Sequence, residues 1–137
     1  MSGLTPSKVE SSLVPETLLL LQDFLQDILD NISTLSAHAG SNNYLWNMDV
    51  TRLTHNIGTL VELTTLLSKA MIKQHSLEIP GIKESHIHLL FIMKAMNQAS
   101  QKQDLVVLEE LIKYELKDNL TQWKIDLIPQ MKRHLNL

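Results

Sequence analysis

The sequence predicts an all-α fold, an antiparallel up-down-up-down four-helix bundle. Three observations predict it. Apolar side chains return every three or four positions along four long segments, which places each set on one face of a helix. Short links holding glycine, proline or polar residues separate the segments, so neighbouring helices are expected to run antiparallel. The apolar runs are rich in leucine and methionine rather than β-branched residues, and no hairpin dipeptide sits between alternating segments, so no strand is expected.

The first helix is expected from Pro15 to about His38, with Leu21, Leu25, Ile28, Ile32 and Leu35 as its seam. Pro15 suits a first turn, where its missing N–H has no partner to lose, and Glu16 beside it favours the positive end of the helix dipole. Gly40 suits the stop. Residues 1–14 read as a flexible amino-terminal segment and 15–137 as a single helical-bundle domain. The second helix is expected from about Asn43 to Gln74, where Trp46, Val50, Leu53, Ile57, Leu60, Leu67 and Met71 repeat the same step and Thr64 fills one seam position. Gly58 costs roughly 1 kcal/mol relative to alanine inside a helix; either a close helix crossing or a tolerated surface position accounts for it.

Pro80-Gly81 marks a break, because proline pushes Ile79 out of helical geometry and glycine takes turn dihedrals readily. A third helix follows from about Lys83 to Ser100. Its apolar set, Leu89, Leu90, Ile92, Met93, Ala95, Met96 and Ala99, covers a stripe wide enough that this helix is expected to be well buried. After the polar link Ser100-Gln101-Lys102-Gln103, a fourth helix opens near Asp104 with Leu105, Leu108, Leu111, Ile112, Leu116, Leu120, Trp123 and Leu127. Pro129 is expected to end or kink it, with the tail through Met131 and Leu135 forming a last turn or a short fifth helix.

Composition narrows the function. At 137 residues one core suffices, since a chain of this size buries roughly two thirds of the surface it exposes when unfolded. Apolar residues make up 44% of the chain against 20% charged, a balance that supports a packed interior. Cysteine is absent, which removes disulfides, thiolate nucleophiles and thiolate metal sites. The net charge of -3 gives no basic field to gather a polyanion, so no nucleic acid is expected as a partner. The charge is unevenly spread: residues 1–68 carry Lys8 and Arg52 against seven carboxylates, while residues 69–137 carry ten basic and eight acidic side chains. Met1-Ser2-Gly3-Leu4 lacks a positive stretch followed by an apolar run of adequate length, and Leu18 to Leu21 is too short to span a bilayer. A cytoplasmic location without membrane insertion is therefore expected.

Six histidines are the side chains that could carry chemistry, because helical bundles build metal sites from inward-facing histidine and carboxylate. His55 with Glu62, and His86 with His88, are the candidates. Their spacing serves a metal poorly: His86 and His88 are two positions apart and point about 200° from each other, and His55 precedes Glu62 by two turns. No native metal and no cofactor are expected. His38 and His134 lie near carboxy-terminal helix ends, where imidazolium interacts favourably with the dipole. Asp23, Asp27 and Asp30 share one helix flank; hydrolysis needs two carboxylates in a concave, partly apolar site that separates their pKa values, so these acids read as an exposed flank. There is no glycine-rich phosphate loop and no nucleophile elbow. Tyr114 falls off the leucine seam, where its hydroxyl is placed for solvent, a carboxylate or a partner, and it is the candidate for partner binding.

Asp104, Leu108, Leu111, Ile112, Tyr114, Glu115, Leu116, Leu120 and Trp123 follow a distinctive order: an aspartate opens a helix, and a Leu-Ile-x-Tyr-Glu-Leu run is followed by tryptophan. About a third of the chain, from Ala95 to Trp123, resembles in this respect a set of small bacterial helical-bundle proteins. The resemblance implies the fold and carries no activity with it.

The functional expectation is a non-enzymatic bundle that acts by protein–protein interaction, holding a partner helix or a second copy of itself as a homodimer. Leu18 to Leu21 surround the first helix and Leu89, Leu90, Phe91 and Ile92 the third, more apolar face than one small bundle needs. In narrower form the chain looks like a chaperone or adaptor for export or flagellar-type substrates, an analogy of class. The alternative is a metal- or small-molecule-binding bundle using His55, Glu62, His86 or His88.

Overall fold

A computed structural model describes residues 6–38, 43–76 and 78–137, with side chains at 14–35, 48–74, 76 and 78–137. Among the described residues it is all-α, an up-down-up-down bundle. Helix α1 is Pro6–His38, α2 is Asn43–His75 and α3 is Ile82–Gln101. A continuous fourth helix, α4, runs over residues 105–134 and alternates α-helical turns (Leu105–Glu110, Lys117–Gln122, Ile128–His134) with two π-helical ones, Leu111–Leu116 and Trp123–Leu127. Helix α2 packs most closely on α1, and α4 lies against both α1 and α3. Gly40 and the side chains of His38 and Trp46 fall outside the described residues.

The expected seams form one interior. Leu21, Leu25, Ile28, Ile32 and Leu35 of α1, and Val50 to Met71 of α2 including Thr64, are all buried. In α1 seven buried side chains from Val14 to Leu35 span 21 residues in six steps, 3.5 residues per step. Val50 to Met71 repeats that spacing, and Ser85 to Ala99 of α3 covers 14 residues in four steps. A step of 3.5 falls just short of the α-helical 3.6 residues per turn, a mismatch that gentle left-handed coiling absorbs.

Helix α4 cannot be accommodated that way. Leu108, Ile112, Leu116, Leu120, Trp123, Leu127 and Met131 are buried over 23 residues in six steps, and an uninterrupted α-helix would carry the last of them roughly 140° off the face of the first. The two π turns correct this. The Lys117 N–H donates to the Ile112 carbonyl and the Ile128 N–H to the Trp123 carbonyl, and each such five-residue hydrogen bond takes up one extra residue. With those two residues absorbed, 21 remain over six steps, the spacing of the other helices.

Three expectations change. The first helix begins well before Pro15, at Pro6, so residues 6–14 belong to α1; Val14 is buried, and Pro15 sits inside the helix, where it brings no N–H for the carbonyl four residues back. Pro129 neither ends α4 nor starts a separate fifth helix. It lies two residues past the end of the second π turn, Trp123–Leu127, and a widened turn of that kind is where a helix accommodates proline. Helix α3 is buried on a narrower stripe than expected: Leu89, Ile92, Met96 and Ala99 are buried, while Leu90 and Phe91 are 42% and 66% exposed. In α4, likewise, Leu105 is exposed.

The helix ends follow known chemistry. Asp104 caps α4, its side chain accepting from the Val107 N–H at 3.2 Å. Helix α3 closes with Asp104 N–H donating to the Ala99 carbonyl at 2.9 Å and Gln103 N–H to the Ser100 carbonyl at 3.1 Å. That closure puts Gln103 at φ 55°, a place glycine usually takes. Gly81, at φ 94°, opens α3. A Cβ at Gly58 would meet nothing within 4 Å, so this is a surface glycine and not a helix crossing.

The phase argument makes a deletion test. Lys113 is exposed within the first π turn, so removing it should convert that turn to α-helix and leave Leu116 on the core face, at a cost below about 2 kcal/mol in urea unfolding. Removing the exposed Glu62 from regular α2 should rotate Thr64, Leu67 and Met71 about 100° off the core and unfold the protein by circular dichroism. Equal loss from both deletions would contradict the role given to the π turn.

Candidate functional site

The four histidine and carboxylate candidates do not converge. His55 and Glu62 are both exposed on α2. Among the described residues, no three histidine, aspartate or glutamate side chains form a group that could hold a metal ion. His86 and His88 point to opposite neighbours of α3, as a separation of two dictates. His86 Nε2 lies 3.2 Å from the Thr65 hydroxyl of α2, and His88 Nδ1 lies 3.2 Å from the Asn119 side-chain nitrogen of α4.

Both contacts fix a tautomer. The Thr65 hydroxyl spends its one proton on the Val61 carbonyl at 2.7 Å, so it accepts from His86, whose Nε2 carries the hydrogen and whose Nδ1 is left as acceptor. Asn119 Nδ2 also donates to the Ser85 carbonyl at 3.1 Å, and a carbonyl can only accept. The amide nitrogen therefore faces α3, and His88 Nδ1 accepts from it. Asn119 is buried, with its Oδ1, the Ser85 hydroxyl and Trp123 Nε1 left without a protein partner.

A cleft of about 510 Å³ opens where the end of α2, the connection to α3 and the first turns of α3 meet. Met71, Ile72, Ile79, Pro80 and Ile82 form apolar walls; Lys69, Glu78, Lys83 and Glu84 supply charge of both signs. Thr65, Ser68 and His86 add polar groups, and the Ser68 hydroxyl is buried without a hydrogen-bond partner. Pro80-Gly81 shapes the cleft by forcing the chain out of helix and back in, with the Ile82 N–H closing on the Ile79 carbonyl at 3.4 Å. Burial holds the His86 imidazole below its ordinary pKa of 6.5, because the charged ring loses hydration there. Of this set, sequence reasoning found only His86. Thr65 and Ser68 lie off the α2 seam among ordinary surface positions, and the proline-glycine break was the one available sign of a recess.

The second surface feature is apolar and outward. On α3, Ile87, Leu90 and Phe91 are exposed, and they lie three and four positions apart on the side opposite Leu89 and Ile92. On α1, Leu19 and Leu20 are 45% and 68% exposed, while Leu18 and Leu21 are fully buried. Tyr114 is 58% exposed on the first π turn, with Lys113 Nζ 5.6 Å from its ring centre. None of the helices described is long and apolar enough to cross a membrane. Comparison with protein-family models, curated proteins and solved structures gives no match.

His86 gives this region a pH dependence. Its folded pKa lies below the unfolded one, so below pH 6.5 the unfolded chain takes up more protons and stability falls; above that value the contribution is fully present. Urea midpoints should drop between about pH 7.5 and about pH 5.5, and His86→Gln should flatten that drop. An unchanged pH profile in His86→Gln would show that the ring titrates as freely in the folded protein as in the unfolded one.

Proposed function

We propose that this chain is a non-enzymatic helical-bundle protein that works by protein–protein interaction, with the outer face of α3 as its contact surface. The observation that carries the reading is the exposed set Ile87, Leu90 and Phe91. Single exposed apolar residues are ordinary, but three within two turns on one helix face form the anchor of a helix-to-helix contact. Phe91, 66% exposed, is the largest of them, and aromatic side chains dominate the energetics of such surfaces. Tyr114 on α4 is a second exposed aromatic that a partner could meet. A chaperone or adaptor for exported subunits is the narrower form of this reading.

A photo-crosslinking residue placed at Phe91 in living cells should give a discrete adduct, and the same residue at exposed Glu62, on α2, should give far less. No adduct at position 91 would end the interaction reading. Recovery of an exported subunit in the adduct is the result the narrower form requires.

A second reading rests on the cleft. Its volume falls within the roughly 300–1,000 Å³ of small-molecule sites, and its apolar walls with both signs of charge at hand suit a small amphipathic molecule. Nuclear magnetic resonance screening with such molecules should shift the amides of Thr65, Ser68 and His86 together. Shifts scattered elsewhere, or none, would remove it.

A further inference from the structure

We propose that the outer face of α3 docks on the outer face of α1 of a second copy of this chain, an inference that rests on the interaction reading above. The two faces are complementary in shape of pattern and in charge. On α3, exposed Lys83 and Lys94 bracket Ile87, Leu90 and Phe91, and exposed Glu84 lies on the same face next to Lys83. On α1, exposed Glu16 and Asp27 bracket Leu19 and Leu20, and Asp23 lies exposed between them. No lysine or arginine occurs from residue 9 to residue 51, and on the flank of α1 the Lys132 ammonium of α4 donates to Gln22 Oε1 at 3.3 Å.

The spacing decides the register. Lys83 and Lys94 are eleven residues apart, as are Glu16 and Asp27, and eleven residues make about three turns, so each pair lies on one face with its charges about 16 Å apart. Antiparallel docking that sets Lys83 against Asp27 and Lys94 against Glu16 brings Leu90 to Leu20 and Phe91 to Leu19, with Ile87 beside Asp23. Parallel docking would set Ile87 on Leu20 and Phe91 on the half-buried Phe24, with Leu90 beside Asp23 and exposed Leu19 left against His86 without an apolar partner. The α3 face carries Lys83 and Lys94 against one acid, Glu84, and the α1 face carries three acids, so α3 meets α1 with opposite net charge and another α3 with like net charge.

Within one molecule, α1 and α3 each pack chiefly on α2 and α4, so a single copy cannot satisfy its own two faces. The contact is head-to-tail, joining different surfaces of successive copies. With three exposed apolar side chains on one side and two on the other, the contact is small against the roughly 800 Å² per partner of a standard interface. Association is therefore weak, concentration-dependent and reduced by salt.

Sedimentation velocity of the full chain from about 10 µM to about 1 mM tests this with two double variants, all of whose positions are exposed, so that helicity by circular dichroism is expected to be kept. Lys83→Glu/Lys94→Glu and Glu16→Lys/Asp27→Lys should each weaken self-association at least tenfold, and an equimolar mixture of the two should regain it, because each variant then offers the charge that the other lacks. Phe91→Ser should abolish association in both wild type and mixture. A wild type that stays monomeric to the highest concentration, or a mixture that stays dissociated, overturns the proposal. A crosslink from position 91 to a different protein would in that case leave the interaction reading standing, while no crosslink at all would remove both.

Discussion

Four helices share one interior, and each must keep its apolar stripe turned towards it along its whole length. That constraint is a matter of phase. Three of the helices meet it with buried side chains every 3.5 residues, close enough to the helical repeat for gentle coiling to hold the stripe in place. The fourth carries two residues too many, and it holds phase through its π turns. A π turn strains helical hydrogen bonding, so it persists where something larger depends on it. Here that is the burial of Leu116, Leu120, Trp123, Leu127 and Met131, each at 1% exposure or less, and each costing a few kcal/mol to withdraw from the core.

Most of this was legible in the sequence, and what was missed was missed for physical reasons. Alternating steps of three and four identify the buried residues of α1 and α2 almost completely, because an isolated stripe of that period has only one way to be buried. In α4 the run of fours, Leu108, Ile112, Leu116 and Leu120, stands out from the alternating steps of the other helices. A run of fours drifts by 40° per step on an α-helix, and that drift was the visible sign of a wider turn. Prolines misled in both places. Pro15 and Pro129 each lie within a helix, because burial of Val14 on one side, and of Ile128 and Met131 on the other, outweighs the loss of one backbone hydrogen bond.

Runs of consecutive leucines resist reading for a different reason. Leu18 to Leu21 and Leu89 to Ile92 occupy every side of a helix, and a helix in a four-membered bundle buries less than half its circumference. The two ends of each run go to the core and the middle two residues face out. Sequence alone shows an excess of apolar surface without showing where it lies. The histidines were legible in one respect: a separation of two sends His86 to α2 and His88 to α4, which is why neither can join the other in a metal site. The cleft beside His86 was not legible, since it depends on how far apart the chain break at Pro80-Gly81 holds two helix ends.

Exposed leucine and phenylalanine side chains are tolerable on a helical protein when nothing of matching pattern meets them, and costly when something does by accident. The sign of the neighbouring charges governs which surfaces meet. A net charge of -3 gives little general repulsion between copies, so the local arrangement has greater weight than the total. With three acids on the α1 face, and two lysines and one glutamate on the α3 face, unlike faces attract and like faces do not. That arrangement disfavours closure into a symmetric pair through either helix alone and leaves both faces free at the ends of any chain of copies. Growth is then limited by the small area of each contact rather than by geometry, and a partner carrying an acidic helix with two outward leucines would compete for the same α3 face on equal terms.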